Sequence, residues 1–192
     1  MATLDVSTGA LVEIPLEDGS TGARKLALTS DRRYALSPMV IASHRVPATQ
    51  IEQGWINKNG LTVVDLETGS MLGTLLLDEV FLGAANPWDI VVSDDQAWIS
   101  LAGIHQIMAV DYPALIQTLN AATAKQREDF TYDLRQGIAW KQRIKLQGLG
   151  PRALSLNPKG DRLLVASFFN NAVEAISVDS QIARSRLAPA DV

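Results

Sequence analysis

The 192-residue sequence contains no cysteine and only two histidines, His44 and His105. Without cysteine the chain has no disulfide, no thiolate ligand for zinc or an iron–sulfur cluster, no C-x-x-C-H motif for covalent haem and no thiol nucleophile. Two histidines leave little material for a His-rich metal site or a catalytic triad. We therefore expect the sequence to say more about architecture than about chemistry.

Long apolar runs and an excess of positive charge are also missing. No stretch approaches the roughly 18 consecutive apolar residues of a membrane span. Residues 1–9 lack the basic region and apolar run of a signal peptide. The formal net charge of −4 argues against a nucleic-acid partner. Hydrophobic residues make up 47% and charged residues 20% of the chain, as in ordinary globular proteins.

A repeat organises what is present. Three ten-residue segments align, at 22–31, 86–95 and 150–159. Each opens an alternating apolar run, closes in a polar turn and leads into a second apolar run, which is typical of a strand, a hairpin turn and a strand. The third residues of these segments recur at intervals of 64 residues: Arg24, Trp88 and Arg152.

A second element also recurs. Residues 61–69 and 3–9 both end in an Asp-containing turn with a glycine and lead into another apolar run, and partial copies occur at 107–111 and 173–179. Asp can accept bonds from backbone groups two residues on, and Gly adopts a positive φ without steric cost. The four aspartates are predicted to act in hairpin turns, with a repeated metal site as the alternative: Asp5, Asp65, Asp111 and Asp179.

With strands lettered a to d, the chain reads c, d, then a, b, c, d twice, then a, b, c. Four antiparallel strands per repeat predict the blade of a β-propeller. The period exceeds the usual blade of about 40–45 residues, and the surplus falls in residues 43–59 and 113–137. Helical spacing in the second insertion predicts a short helix, which either packs against its own blade edge or docks a partner.

The predicted fold is all-β, an incomplete propeller of about three four-stranded antiparallel blades with a short helical insertion. A closed ring usually has about 4–8 blades, and we expect this chain to be part of a seven-bladed one. It is either a piece of a longer chain, which we favour, or it completes its ring by assembly. The predicted blade pieces are 1–17, 22–78, 86–147 and 150–182, followed by a tail at 183–192.

The best copy of the repeat has Asn157, Pro158, Lys159 and Gly160 at its turn and Leu-Val-Ala-Ser at 164–167. It resembles the YVTN-type β-propeller repeat. Residues 47–50, 54–57, 77–80 and 83–88 are similar to a bacterial subgroup in which the propeller precedes a c-type cytochrome or haem-peroxidase-like domain. The resemblance implies a periplasmic, extracellular or cell-surface location, but it identifies no catalytic residue, because its motifs are structural. Because the chain lacks cysteine, any haem would lie outside it, and we expect no cofactor in this chain.

The candidate ligand-binding residues lie in the predicted b–c connections, which can cover the channel of a propeller. A histidine there could act as acid, base or metal ligand, although an exposed or loop-anchoring role is the simpler alternative. The b–c insertion carries His44, Arg45, Glu52 and Trp55, and a later b–c turn carries His105. No catalytic residue and no metal site is assigned.

Two other groups of side chains receive structural interpretations. The remaining tryptophans, Trp88, Trp98 and Trp140, are predicted to pack between blades, whereas Trp55 could face a ligand or a partner. Basic residues alternate along the predicted outer strand of the second full blade and are predicted to form a solvated face that guards an exposed edge: Lys141, Arg143 and Lys145.

The sequence favours an extracytoplasmic binding or scaffold module that presents loops to a protein or a small ligand. The first alternative is a non-catalytic propeller part of a haem-linked oxidoreductase. The second is a lactonase-type propeller hydrolase, which would require His44, His105 and Glu52 to share one channel mouth. Whether the chain is an enzyme by itself, and what its ligand or partner is, are left open, because a fold does not determine a function.

Overall fold

The computed structural model describes residues 1–42 and 56–178. Fourteen strands and two α-helices occur within these ranges. The helices are α1 (Tyr112–Ala121) and α2 (Ala124–Asp129), followed by a 3-10 turn at Ile138–Trp140. The strands are β1 (Ala2–Leu4), β2 (Leu11–Glu13), β3 (Ser20–Thr21), β4 (Ala27–Leu28), β5 (Tyr34–Ala42), β6 (Asn57–Asp65), β7 (Ser70–Leu76), β8 (Pro87–Val92), β9 (Ala97–Leu101), β10 (Gln106–Val110), β11 (Lys141–Lys145), β12 (Pro151–Leu156), β13 (Arg162–Ser167) and β14 (Ala172–Ser177).

The strands form four antiparallel sheets that follow chain order. The N-terminal hairpin contains β1 and β2, blade I contains β3 to β7, blade II contains β8 to β11, and blade III contains β12 to β14. In blade I both short strands β3 and β4 pair with β5, so the first strand position is interrupted. The prediction of an incomplete propeller of four-stranded antiparallel blades is confirmed.

The first strands of the blades are the ones that approach one another. Strand β8 lies against β4 and β5 on one side and against β12 on the other. Buried apolar residues fill the two spaces between blades, which accounts for why the sheets stack side by side. Trp98 is fully buried between blades II and III, as the sequence predicts.

The repeat is also visible in the backbone. Gly22, Asn86 and Gly150 have φ values of 67°, 59° and 68° and recur at the spacing of 64 residues. Each precedes the inner strand of its blade, and Gly and Asn are the residue types that adopt this left-handed conformation most readily. The three blades therefore begin with the same local turn.

Strand β6 begins earlier than the sequence suggests. Asn57 and Lys58 pair with Ala42 and Ile41 of β5, although they lie inside the segment predicted as the b–c insertion. Strands β5 and β6 are consequently nine residues long each. The extra pairs continue an established antiparallel register, which the local composition does not reveal.

The predicted helical insertion is confirmed, and it packs largely on the neighbouring blade I. Helix α1 begins after Asp111, whose Oδ1 accepts the N–H of Ala114 at 2.9 Å. It lies against β7 of blade I. Leu119 fills the space beside Gly73, where a Cβ atom would come within 2.8 Å of the leucine Cδ2. An insertion that belongs to blade II thus covers blade I.

The predicted hairpin-turn chemistry is present at Asp5 and Asp65, whereas Asp111 caps helix α1 instead of a hairpin turn. Asp5 Oδ1 accepts the backbone N–H groups of Ser7 and Thr8, at 2.8 and 3.1 Å. The hydroxyl of Ser7 and these amides lower the pKa of Asp5 to about 2. Asp65 accepts from the backbone in the same pattern. Asp179 lies outside the described residues.

We expect Gly69→Val to destabilise the turn between β6 and β7. Gly69 has a φ of 63°, a conformation that costs an L-residue roughly 1–2 kcal/mol and a β-branched residue at least as much. Urea denaturation should show a loss of free energy of unfolding of that size. Gly69→Asn is the matched control, because Asn tolerates this region, and it should lose less. Equal stability of the Val and wild-type proteins would contradict the turn assignment.

Candidate functional site

Two β-bulges lie at equivalent places, where the inner strands of blades II and III begin. The pairing of β8 with β9 shifts register between Pro87 and Ile90, and the pairing of β12 with β13 shifts between Pro151 and Ala153. A bulge bends its strand and redirects side chains, and bulges are common next to functional sites. The redirected segments contain Trp88 and Arg152.

The three repeat anchors come together around one aromatic ring. The guanidinium carbon of Arg24 lies 4.2 Å from the ring centroid of Trp88, and that of Arg152 lies 4.4 Å from the same centroid. Arg152 also lies over Phe168, at 3.8 Å. Such cation–π contacts contribute about 0.5–2 kcal/mol each. We call this group the stacked-arginine cluster: Arg24, Trp88, Arg152, Phe168 and Phe169.

The cluster carries two positive charges that the described part of the chain does not neutralise. Arg24 Nη1 has only two long bonds, 3.4 Å to Asn86 Oδ1 and 3.5 Å to the Pro87 carbonyl. The Nε of Arg152 is buried without a hydrogen-bond partner. Within residues 1–42 and 56–178 neither guanidinium has a carboxylate partner. Two such charges repel by on the order of 1 kcal/mol at this range.

Asp89, next to Trp88, connects the three inner strands. Its buried Oδ2 accepts the N–H of Leu154 in β12 at 2.8 Å. Its Oδ1 accepts the N–H of Ile90 and lies 3.7 Å from the Lys25 Nζ, just before β4. Asp89 is thus engaged by a lysine and two amides, and it does not pair with the arginines.

His105 is the one predicted ligand-binding residue among the described residues, since His44, Arg45, Glu52 and Trp55 lie outside them. Its Nδ1 accepts the N–H of Gly150 at 3.0 Å, so neutral His105 carries its proton on Nε2.

The ring of His105 meets Phe169 edge-on, with centroids 6.3 Å apart. His105 therefore positions the start of blade III beside the stacked-arginine cluster. Its proposed role as a ligand-binding residue stays a prediction.

The sequence marked the anchor residues as a repeat but assigned them no site. The signal was their equal spacing, because equivalent positions on neighbouring inner strands must lie close together. Trp88, predicted to pack between blades, lies half-buried between an arginine of blade I and an arginine of blade III. Trp140 stacks on Phe130, with ring centroids 6.1 Å apart, beside the core shared by blades I and II.

A second feature is a tight turn in the connection from β7 to β8. Glu79 and Leu82 exchange two backbone hydrogen bonds, at 2.9 and 3.2 Å. Val80 and Phe81 form its tip, and Phe81 is 94% exposed. We call residues 79–82 the braced turn, because side chains outside it hold it in place.

Arg143 of β11 is the main brace. Its Nε donates to Glu79 Oε1 at 2.6 Å, and its two Nη atoms donate to the carbonyl oxygens of Leu82 and Gly83 at 2.9 and 3.0 Å. The arginine side chain is only 12% exposed. The prediction that Arg143 belongs to a solvated basic face is therefore wrong.

Lys141 is engaged in the same region. Its Nζ donates to the carbonyl oxygens of Leu76 and Asp78 at 3.0 and 3.1 Å. Burial lowers the pKa of Lys141 to about 8. Of the three alternating basic residues only Lys145 is exposed. An alternating pattern indicated a common face but could not show that the neighbouring connection folds over it.

Asp78 fixes the other side of the braced turn. Its Oδ1 accepts the Ala84 N–H at 2.6 Å and the Asn59 side-chain amide at 2.9 Å, and its Oδ2 accepts the Asn59 N–H at 2.6 Å. The connection is thus tied to the start of β6 as well as to β11. Its apolar tip is presented by a backbone whose polar groups are largely satisfied.

Residues 1–42 and 56–178 contain neither a cluster of metal ligands nor a membrane-spanning helix. No three His, Asp or Glu side chains within them lie close enough together to hold a metal ion. Neither α1 nor α2, nor any other helix in these ranges, is long and apolar enough to cross a membrane.

No family model matches the chain, so the resemblance to YVTN repeats stays a prediction. Among curated proteins the chain is similar to "Hydrazine synthase subunit beta" of Kuenenia stuttgartiensis, with 22% identity over 175 residues. The alignment covers 90% of this chain and 45% of the relative. The chain therefore spans less than half the length of that protein.

Among solved structures the chain is similar to the hydrazine synthase of Kuenenia stuttgartiensis, with a TM-score of 0.84 at 22% identity, covering 91% of this chain and 50% of that one. It is also similar to "Dihydro-heme d1 dehydrogenase NirN in complex with DHE", with a TM-score of 0.51 at 11% identity, covering 94% and 31%. Both are β-propeller-type folds. At these identities the similarity shows the fold.

We expect Asp89→Ala to lower the free energy of unfolding by about 1–3 kcal/mol, because the buried Leu154 N–H loses its acceptor. Urea denaturation followed by circular dichroism measures the change. Asp94→Ala is the control, since Asp94 is exposed and such a change should stay within about 0.5 kcal/mol. Equal losses in the two variants would show that Asp89 does not connect the inner strands.

The lowered pKa of Lys141 predicts a pH dependence of stability. Folded Lys141 releases its proton near pH 8, whereas the unfolded residue holds it to about 10.5. Unfolding therefore takes up a proton within this window, and the free energy of unfolding should rise by about 1–3 kcal/mol between pH 8 and 10.5. The rise is measured as the difference from Lys141→Met, in which other titrating groups are unchanged. Parallel pH curves for the two proteins would refute it.

Proposed function

We propose that this chain is a docking module of a propeller subunit in a larger protein complex, and that the braced turn inserts into an apolar pocket of another polypeptide. The observation that carries the proposal is Phe81, whose side chain is 94% exposed at the tip of a fixed turn. Aromatic residues are frequent among the few that dominate binding energy at protein interfaces.

The bracing favours binding over a merely connecting role. A loop that is already fixed loses little conformational entropy when it binds, which raises affinity without additional contacts. Arg143 and Asp78 together provide at least six hydrogen bonds to the connection and its surroundings. A simple link between β7 and β8 would not require this degree of fixation.

The chemistry of the tip indicates an apolar pocket. Val80 and Leu82 flank Phe81 and are also exposed. The acidic side chain of the turn, Glu79, is paired with Arg143 at 2.6 Å, so the turn presents little uncompensated charge. The curated relative is named as a subunit, which supports assembly with other chains. We extend the proposal to an extracytoplasmic location, on the resemblance described above.

A second candidate is a non-catalytic propeller part of a haem-linked oxidoreductase, with the redox centre outside this chain. One similar structure is named as a dihydro-heme d1 dehydrogenase in complex with DHE, which favours this candidate. An assembly purified with the chain should then show haem absorbance in the Soret region. An assembly without haem absorbance would exclude the haem-linked candidate and would be consistent with the docking module.

The docking proposal is tested with Phe81→Ser expressed in the native host. Val6→Ser is the matched control, because Val6 is 93% exposed but lies in the turn of the N-terminal hairpin. Native mass spectrometry of the tagged protein should show wild type and Val6→Ser in one assembly with a second polypeptide at fixed stoichiometry. The amount of this assembly recovered with Phe81→Ser should be at least about tenfold lower. The circular dichroism and melting temperature of Phe81→Ser should be unchanged.

Either of two results would overturn the proposal. Wild-type chain that is recovered alone, at every protein concentration tested, would exclude a subunit role. Phe81→Ser that is recovered in the same assembly and amount as Val6→Ser would exclude the braced turn as the docking element.

A further inference from the structure

We infer that the stacked-arginine cluster binds a small organic carboxylate that carries a flat apolar group. The inference goes beyond the docking proposal, because it concerns residues beside the starts of the inner strands and does not involve the braced turn. It rests on the charge, the free donors and the aromatic surface that the cluster brings together.

The charges of the cluster are not balanced within the described residues. Arg24 and Arg152 both lie within 4.4 Å of the ring centroid of Trp88, and in the described part of the chain neither has a carboxylate partner. Asp89 is occupied by Lys25 and by two backbone amides. The cluster therefore has an excess of positive charge that an anion would neutralise.

The hydrogen-bond donors of the two guanidinium groups are poorly satisfied within the described residues. A guanidinium that stacks on a ring keeps its N–H groups in its own plane, where they form a fork that matches a carboxylate. Arg152 has a buried Nε without a partner, and the two bonds of Arg24 are 3.4 and 3.5 Å long. Guanidinium N–H groups of both arginines thus lack a strong acceptor among the described residues.

The aromatic side chains of the cluster indicate the rest of the ligand. Phe168 and Phe169 are both exposed and lie beside Arg152, with Phe168 3.8 Å from its guanidinium carbon. The two phenyl rings meet edge to face at 5.7 Å. They offer an apolar surface next to the charged fork, which suits a flat group attached to the carboxylate.

A purely structural role explains less of this arrangement. One arginine on Trp88 would be enough to hold the ring, whereas the second adds repulsion without an ion pair to offset it. The bulges that redirect Trp88 and Arg152 occur at the same place in their blades. The same backbone irregularity thus recurs in two blades, at the residues that form the cluster.

The test is isothermal titration calorimetry of the full chain with benzoate and with acetate as probes. Benzoate should bind saturably, and at least about tenfold more tightly than acetate if the phenyl surface contributes. Arg152→Gln and Arg24→Gln should each weaken benzoate binding by about tenfold or more. Arg162→Gln, an exposed arginine of the same blade, is the control and should change it less than about twofold.

Arg24 is itself exposed, so Arg24→Gln should fold normally even if Arg152→Gln does not, and circular dichroism of each variant checks this. The inference fails if benzoate does not bind saturably to wild type, or if Arg24→Gln binds it as well as Arg162→Gln does. Equal affinity for acetate and benzoate would contradict the inference that the ligand carries a flat apolar group. None of these outcomes bears on the assembly measured with Phe81→Ser.

Discussion

The contact on which the inner region of this propeller arc depends is the buried carboxylate of Asp89. It accepts an amide of its own strand and one of the next inner strand, and it faces a lysine beside the previous one. Apolar packing between blades is strong but non-directional, so it does not by itself set how far one sheet slides along another. The ionic and amide contacts of Asp89 do, and the alignment of Arg24, Trp88 and Arg152 follows from them.

Arginine has two opposite roles in the molecule. Arg143 is surrounded by acceptors and uses its charge to hold a connection still. Arg24 and Arg152 are stacked on aromatic rings, and their donors lack strong partners within the described residues. The first arrangement produces a rigid surface. The second produces a surface whose hydrogen-bond donors are available to a ligand. Both proposals above follow from this difference in how completely a charge is satisfied.

The sequence predicts the features that depend on local chemistry and periodicity. The strands, the Asp turns and the helix in the insertion were all recognisable, since each depends on residues close in the chain. The buried positions of Lys141 and Arg143 were not, because the connection that covers them belongs to the previous blade. The cluster around Trp88 was visible only as a spacing, since neither the bulges nor the approach of three inner strands can be read from one blade.

The contact between Leu119 and Gly73 has a consequence for how the repeats are coupled. A helix inserted in blade II is seated on the outer strand of blade I. Repeat proteins are commonly treated as chains of equal units joined by equal interfaces. Here the interface between blades I and II has an additional contact, made by helix α1. Blades I and II therefore open together, while blade III is joined through strand packing and the Asp89 contact. Blades I and II would therefore have to be duplicated, transplanted or removed as a pair, whereas blade III could be removed by itself.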